Sequence, residues 1–476
     1  MATGTAKAAA QAGMRKAAAI LALLAGTGAA QAQPSTPHEQ LAFDIYKELV
    51  EINTVTATGD TGRAADAMAA RLRAAGFPDA DIQVFKPAPR KGNLVARLRG
   101  TGAKKPMILM AHLDVVEAKP EDWSVDPFKL TEKDGHYYAR GSSDDKFMAA
   151  AWVAILARYR KEGYKPDRDL ILVLETDEET LDKDGVGITW LLKNQRGLID
   201  AEFALNEGGG VSLDNGKPLR IGVQTSEKVF MNYWLEVHDT GGHSSQPKPG
   251  NAIYRLAEGL ERLAKSDFPV NLNETTRAWF SRAAQFEDAK TGADMRSLVS
   301  PKPDPAAVAR LTATPRFNNL MRTTCVATML EGGHAMNALP QMARALVNCR
   351  VLPDETMESV EATLVRMMAD NQIAVKPAWK PTLSPPSPLK LEIMGAIEKV
   401  AADFWPGAPV IPAMIAGGTD GAHLRNAGIP TYGHSGLAGE ATENRAHGRD
   451  ERVIVKSFYA GQEYLYRLVK VLAGGK

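Results

Sequence analysis

Cysteine is scarce: two residues in 476, Cys325 and Cys349. That excludes a scaffold stapled by several disulfides and a metal cluster built from thiolates. Charge of one sign is also missing. The formal net charge is +1, and no basic run is placed to follow a phosphate backbone, so no nucleic-acid partner is expected. Past the N-terminus, no apolar stretch approaches the ~20 residues of a membrane-spanning helix. The glycine-rich stretch Gly417-Gly-Thr-Asp-Gly421 lacks the Gly-x-Gly-x-x-Gly order of a dinucleotide turn. No internal repeat is present, which excludes a solenoid. What is there is ordinary globular composition, 44% apolar and 24% charged, over a length that suits two or three domains.

The N-terminus reads as an address. Arg15 and Lys16 precede a short apolar run from Ala17 to Ala25, and Ala30-Gln31-Ala32 follows, just before Gln33-Pro34. A positive region, a short apolar region and an A-x-A site make a cleavable signal peptide over residues 1–32. Cleavage removes Lys7, Arg15 and Lys16 and no acid. The mature chain then holds 54 basic against 56 acidic residues, a net −2. A soluble periplasmic or secreted product is expected, with no membrane association after cleavage. Such a compartment permits a disulfide. Cys325 and Cys349 lie in two strand-like runs around a turn-like stretch. A hairpin centred near Asn337 would set them opposite each other, either bonded or as two buried thiols.

Apolar patterning predicts an α/β layer. Met107 to Ala111 and Leu170 to Leu174 read as fully buried strands, and Asp145 to Arg160 between them has helical spacing. Strand, helix, strand in that order implies a mostly parallel mixed sheet flanked by helices. The pattern changes near Val223. A long strand from Phe230 to Val237, a helix over Asn251 to Leu263, the cysteine hairpin and a helix over Met357 to Met368 suggest an inserted α+β domain. Four prolines between Pro381 and Pro388 mark the return. The expected division is 33–224 and 382–476 for the catalytic domain, and 225–381 for the insertion.

Histidines and carboxylates recur where these elements end. His112 and Asp114 follow the first strand, Asp144 opens the helix, Glu178-Glu179 follows the second strand, Glu207 follows a third apolar run, and His447 precedes the last helix. Each alone has a plain reading, such as a capping acid or a loop histidine. Together they balance charge. Two divalent ions bring +4, Asp144, Glu179 and Glu207 bring −3, and a bridging hydroxide closes the sum. Zinc suits this mixture of imidazole and carboxylate, and cobalt or manganese also fit.

The segments MAHLDVV, ARGSSDDK, TDEET, ALNEGG, GGHSSQP, NALP, GGTDG and HGRDE, in that order, resemble the aminoacylase, dipeptidase and carboxypeptidase family of two-zinc exopeptidases, family twenty of the metallopeptidases in clan MH. The resemblance covers essentially all of the mature chain. It implies a catalytic domain of phosphorylase/hydrolase-like, zinc-exopeptidase type and an inserted lid that forms a homodimer. One metal would take His112, Asp144 and Glu207, the other Asp144, Glu179 and His447. Glu178 would be general base and then acid, and Asp114 would orient His112. His243 would reach a partner subunit's site to stabilise the oxyanion. Asn337, Arg350, Gly417 and Gly418 would bind substrate, with Arg350 clamping a carboxylate. Three residues depart from the family pattern: Phe147 for glycine, Asn206 for an acid, and His434-Ser435 after Gly433 for a proline. The expectation is an exported exopeptidase of carboxypeptidase or dipeptidase type, in which hydroxide held by the metals attacks the terminal peptide bond. The alternative is an N-acyl-amino-acid amidohydrolase. A non-catalytic peptide-binding member would be expected to lack Glu178 or a ligand, and none is missing.

Overall fold

The computed structural model describes residues 34–476; the segment 1–32, expected to be a signal peptide, lies outside them. The sheet at the centre grows from strands buried along their whole length. Met107–His112 lies between Leu170–Glu175 and Phe203–Asn206, parallel to both. The strand order runs from Ile82–Ala88 and Lys91–Leu98 through these three to Thr431–Gly433, Lys217–Glu227, Val211–Asp214 and Ala438–Glu440. Val410–Ile415 pairs alongside Lys217–Glu227 in parallel. Antiparallel pairs lie toward both ends, so the sheet is mixed and parallel at its middle, as expected. The C-terminal ends of its parallel strands all open on one edge, where ligands gather in open α/β sheets.

The helix Lys146–Glu162 crosses the sheet and is buried on nearly every side. Gly163 ends it at a left-handed φ of 70°, the conformation glycine adopts without steric cost. Its Trp152 indole donates to the Met110 carbonyl at 3.0 Å, tying the helix to the strand that delivers His112. Phe147 is accommodated by a glycine. A Cβ on Gly461 would stand 3.1 Å from the Phe147 ring, so the last helix, Val455–Ala473, comes close enough to cover it.

The insertion has its own core. Thr324–Gly332, Met342–Val351, Val229–His238 and Ile373–Pro377 form an antiparallel sheet in that order. Ala252–Ala264 and Met357–Met368 lie against it, burying Leu256, Leu263, Leu364 and Met368 with Tyr233 and Val347. Cys325 and Cys349 face each other across the hairpin and are bonded. Residues 274–321, which carry no strong apolar periodicity, fold as four short helices. They pack Phe280, Met295 and Met321 against Ile411 and Met414 of the large sheet. Their start signals were present: Asn273, Asp288 and Asp304 cap three of them, and Pro305 and Pro315 open two. Among the described residues, no helix is long and apolar enough to cross a membrane.

The disulfide closes a loop of 24 residues in sequence separation. By loop-closure entropy, replacing both cysteines with alanine should cost about 3 kcal/mol. Urea unfolding of the two chains checks this, and the unreduced wild-type chain should show no titratable thiol when denatured.

Candidate active site

Strand ends and loops deliver the predicted ligands to one place. His112 leaves its strand buried, with its Nε2 3.1 Å from Asp144 Oδ1 and 3.9 Å from Glu207 Oε2. His447 Nε2 lies 3.2 Å from the other oxygen of Asp144, Oδ2, and 3.0 Å from Glu179 Oε2. Asp144 therefore presents one oxygen to each imidazole. Donor atoms of His112, Glu178 and Glu207 lie within 4.8 Å of one another, and so do those of His112, Asp144 and Glu179. Glu178 thus faces the same space as the ligand set.

The His112 ring is oriented differently from the sequence expectation. Its Nδ1 donates to the main-chain carbonyl of Asp114 at 2.9 Å, whereas the Asp114 carboxylate stands 3.8 Å away. A carbonyl only accepts, so Nδ1 carries a proton and Nε2 is the nitrogen turned toward the cluster, the one that would ligate a cation on giving up its own proton. The Asp114 carboxylate instead accepts from the backbone N–H groups of Glu178, at 3.3 Å, and Glu179, at 3.1 Å. Those donors are exposed because the Glu178–Thr180 turn sits between left-handed residues, Asp177 at φ 73° and Leu181 at φ 58°. Asp114 fixes the turn, and the turn fixes Glu178 and Glu179. Lys91 pairs with Asp177 just before the turn. Asp182 accepts from the N–H groups of Val186 and Gly187 just after it, at 2.8 and 2.9 Å.

A buried ion pair that the sequence argument overlooked joins the Asp144 and His447 loops. Glu451 Oε2 takes Arg140 Nη1 at 2.7 Å and the Gly141 N–H at 3.0 Å. Its Oε1 takes the N–H groups of Ser143 and Asp144, at 2.8 and 3.1 Å. Arg140 Nη2 reaches the Gly448 carbonyl at 2.9 Å. Both residues lay within quoted segments, ARGSSDDK and HGRDE. A charge of opposite sign in each of the two loop segments was the available signal.

Electrostatics show what the cluster lacks. Burial pushes Glu178 and Glu207 well above the usual carboxylate range, and neighbouring acids add to it. Burial likewise raises Asp114 to about 6. For Asp144 burial acts the same way, but hydrogen bonds from His112 and His447 outweigh it and hold it low. Burial would depress His112, yet Asp144, Glu207 and Glu178 raise it well above an ordinary imidazole. His447 rises to about 10 through its bonds to Asp144 and Glu179. Carboxylates that hold protons and imidazoles that gain them define a site short of positive charge. Glu179 Oε1 is buried with no partner. Two imidazole nitrogens and the oxygens of Asp144, Glu179 and Glu207 fit a pair of divalent cations of the zinc type.

The other predicted residues lie around this centre, not in it. Arg350 donates to the Ala416 carbonyl at 3.1 Å and lies 4.7 Å over the Phe230 ring. It thereby touches the loop of Gly417 and Gly418, and Gly418 borders exposed Leu181. His243 is exposed on the short strand Gly242–His243, paired with Ala338–Leu339, and Asn337 accepts from Ser244 N at 3.1 Å. Neither joins the metal-type cluster. His434, a departure from the family pattern, is buried. Its Nδ1 donates to the Gly222 carbonyl at 2.9 Å and its Nε2 accepts from Tyr464 at 2.8 Å. It braces the strands beneath Glu207.

The family model for peptidase family M20/M25/M40 matches residues 108–471. The chain is 29% identical to an N-fatty-acyl-amino acid synthase/hydrolase of Xenopus tropicalis, over 77% of this chain and 72% of that one. It is 26% identical to aminoacylase-1A of Rattus norvegicus, over 92% and 97%. Its fold is similar to that of a metallo-carboxypeptidase of Sulfolobus solfataricus, with a TM-score of 0.65, 18% identity, and coverage of 91% and 99%.

Two outcomes follow from this geometry. In chelated protein, Asp114 binds its proton more tightly folded than unfolded. Its contribution to stability is present below about pH 4 and is lost as pH rises through about 6. The gap in melting temperature between metal-loaded and chelated protein should therefore widen from about pH 4 to pH 7; a constant gap contradicts the charge reading. Glu451→Gln should weaken metal retention by ~10–100-fold, measured by metal content after dialysis against graded chelator.

Proposed function

The chain belongs to peptidase family M20/M25/M40, a group of hydrolases of amide bonds, and on that premise we propose that it cleaves the amide of an N-acyl amino acid through a two-metal centre. The single observation that carries the mechanism is Asp144 offering one oxygen toward His112 and the other toward His447, with Glu178 beside them. His112 and Glu207 would hold one cation, Glu179 and His447 the other, with Asp144 shared. Zinc is the cation this donor set favours. Such a pair acidifies water and polarises a carbonyl.

The rest falls to side chains. Glu178 is buried and unligated in this assignment, so it takes the proton of the attacking water. The carbonyl carbon gains the new C–O bond, the C–N bond breaks, and Glu178 returns the proton to the leaving nitrogen. Arg350, its guanidinium held by Phe230 and Ala416, binds the free carboxylate beside the scissile nitrogen. Acyl amino acids are preferred to terminal peptides because both curated relatives described above are named for acyl-amino-acid chemistry. This reverses the order expected from the export signal. A terminal peptide bond remains the second reading, since it presents the same carboxylate next to its nitrogen, and the carboxypeptidase shares the fold.

His243 and Asn337 fit a shared site. They stand exposed and away from the cluster, as a residue offered to a second copy would. Among the described residues, the outer strand Thr324–Gly332 leaves one edge of the inserted sheet unpaired and exposes Val326, Met329 and Leu330. An apolar free edge of this kind is covered by pairing with a like edge. We also propose export through residues 1–32, with the mature chain beginning at Gln33.

Assays of metal-loaded protein against N-acyl amino acids, dipeptides and longer peptides test the substrate reading, which predicts the first to be turned over fastest. Glu178→Gln should lower kcat by ~100-fold or more with both metals retained; near-normal turnover ends the assignment. Mixing Glu178→Gln with His243→Ala protomers should restore about a quarter of the activity if His243 works across a dimer, and none if it works within its own chain.

A further inference from the structure

The inserted domain joins the catalytic domain by two crossings, the outward one after Glu227 and the return through Ser384. Both converge on a single buried carboxylate that no assigned role uses. Glu227 ends the strand Lys217–Glu227, and its side chain is 1% exposed. Its Oε1 accepts from Arg425 Nη2 at 2.8 Å and from Ser384 Oγ at 2.8 Å. Its Oε2 accepts from Thr419 Oγ1 at 2.8 Å and from Gln224 Nε2 at 2.9 Å. Arg425 also donates to Ser384 Oγ at 2.9 Å, closing a triangle. Each partner belongs to a different working part. Ser384 sits on the return crossing. Thr419 follows Gly417 and Gly418 in the loop proposed to line the substrate cleft. Gln224 packs onto Gly208, next to Glu207, so tightly that a Cβ on Gly208 would overlap its Oε1 at 1.6 Å.

Geometry beyond the carboxylate extends the connection. The next residue, Lys228, donates its N–H to the Ile415 carbonyl at 3.0 Å and its Nζ to the Arg322 carbonyl at 2.7 Å. On the far side, Arg350 of the inserted sheet holds the Ala416 carbonyl. The loop of Gly417 and Gly418 is thus gripped at one end by the inserted domain and at the other by Glu227. A loop of consecutive glycines has no side chains to fix its path, so its position is set by these two grips. Both oxygens of the buried Glu227 carboxylate are satisfied by these partners, and a carboxylate held this way favours one arrangement of the groups around it.

We propose that Glu227 is a positioning residue for substrate: it fixes the inclination of the inserted domain over the metal platform and the place of the Gly417-Gly418 loop, and so governs substrate binding and not the chemical step. The proposal rests on the reading that this loop lines the amide substrate's cleft. Its partner of stated chemistry is the substrate's carboxylate end, which Arg350 and the loop enclose together.

The test uses the full-length, metal-loaded chain. Glu227→Gln combined with Arg425→Met removes the pair without leaving a lone buried charge. The expected result is a rise in KM of roughly tenfold or more, with kcat within about threefold of the original, and both metals retained. An independent readout does not need activity. The chain has no free cysteine, so labels on Val365→Cys and Leu391→Cys, exposed sites on the inserted and catalytic parts, report the distance between the domains. The variant should broaden that distance distribution. Should the double variant fail to fold, Ser384→Ala removes only the grip on the return crossing and should shift KM and the distances in the same direction. Unaltered KM with an unaltered distribution overturns the proposal, and so does a fall in kcat accompanied by loss of metal. If the unsubstituted chain hydrolyses no amide, the substrate reading fails alone, and the distance measurement still decides the role of Glu227.

Discussion

Like-charged carboxylates brought together out of water are the constraint that organises this molecule. Asp114, Asp144, Glu178, Glu179 and Glu207 converge around two imidazoles, and burial raises the cost of ionising several of them. In low dielectric such a group is unstable without compensating positive charge. The protein keeps its own cations one layer out. Lys91 answers Asp177, Arg140 answers Glu451, and Lys146 spends its amine on the Ile52 carbonyl. Main-chain N–H groups do the closer work, at Asp114 and Glu451. The centre is left for charges that the chain does not supply.

This division explains the architecture around the site. Acids at the ends of parallel strands and at a helix start need rigid elements behind them, and the fully buried strands Met107–His112 and Leu170–Glu175 provide that. The loops in front need fixed paths, and each has a buried charge to hold it. Arg140 with Glu451 joins the Asp144 and His447 loops. Glu227 with Arg425 joins the glycine loop to both crossings. The two pairs play the same part at different radii, the first beneath the ligands and the second beneath the approach to them.

Much of this was legible in the sequence because it rested on local signals. Uninterrupted apolar runs gave the central strands, helical spacing gave Lys146–Glu162 and Met357–Met368, and opposed strand-like runs placed Cys325 across from Cys349. The histidines and carboxylates that the structure brings together could be picked out because each sits where such an element stops. Other features depended on tertiary contacts. The helices of 274–321 have short, weakly periodic sequences, and their apolar residues make sense only against Ile411 and Met414. For Asp114, spacing of two along a strand gives proximity to His112, which the structure has, but not which of its oxygens does the bonding, here the main-chain carbonyl. Ser384 lies 157 residues from Glu227, across the insertion, and 41 from Arg425, in segments with no motif, so nothing local marks the three as one network.

The order of the ligands along the chain has a consequence for synthesis. His112, Asp144, Glu179 and Glu207 emerge early, whereas His447 is separated from them by the whole insertion. A chain still growing can therefore assemble one half of the donor set long before the other, and the shared carboxylate Asp144 is poised between a complete and an incomplete partner. The final segment is held there by the Arg140–Glu451 pair. Under the proposed assignment, the donor set of the second cation is complete only once the final segment has brought His447 beside Asp144 and Glu179.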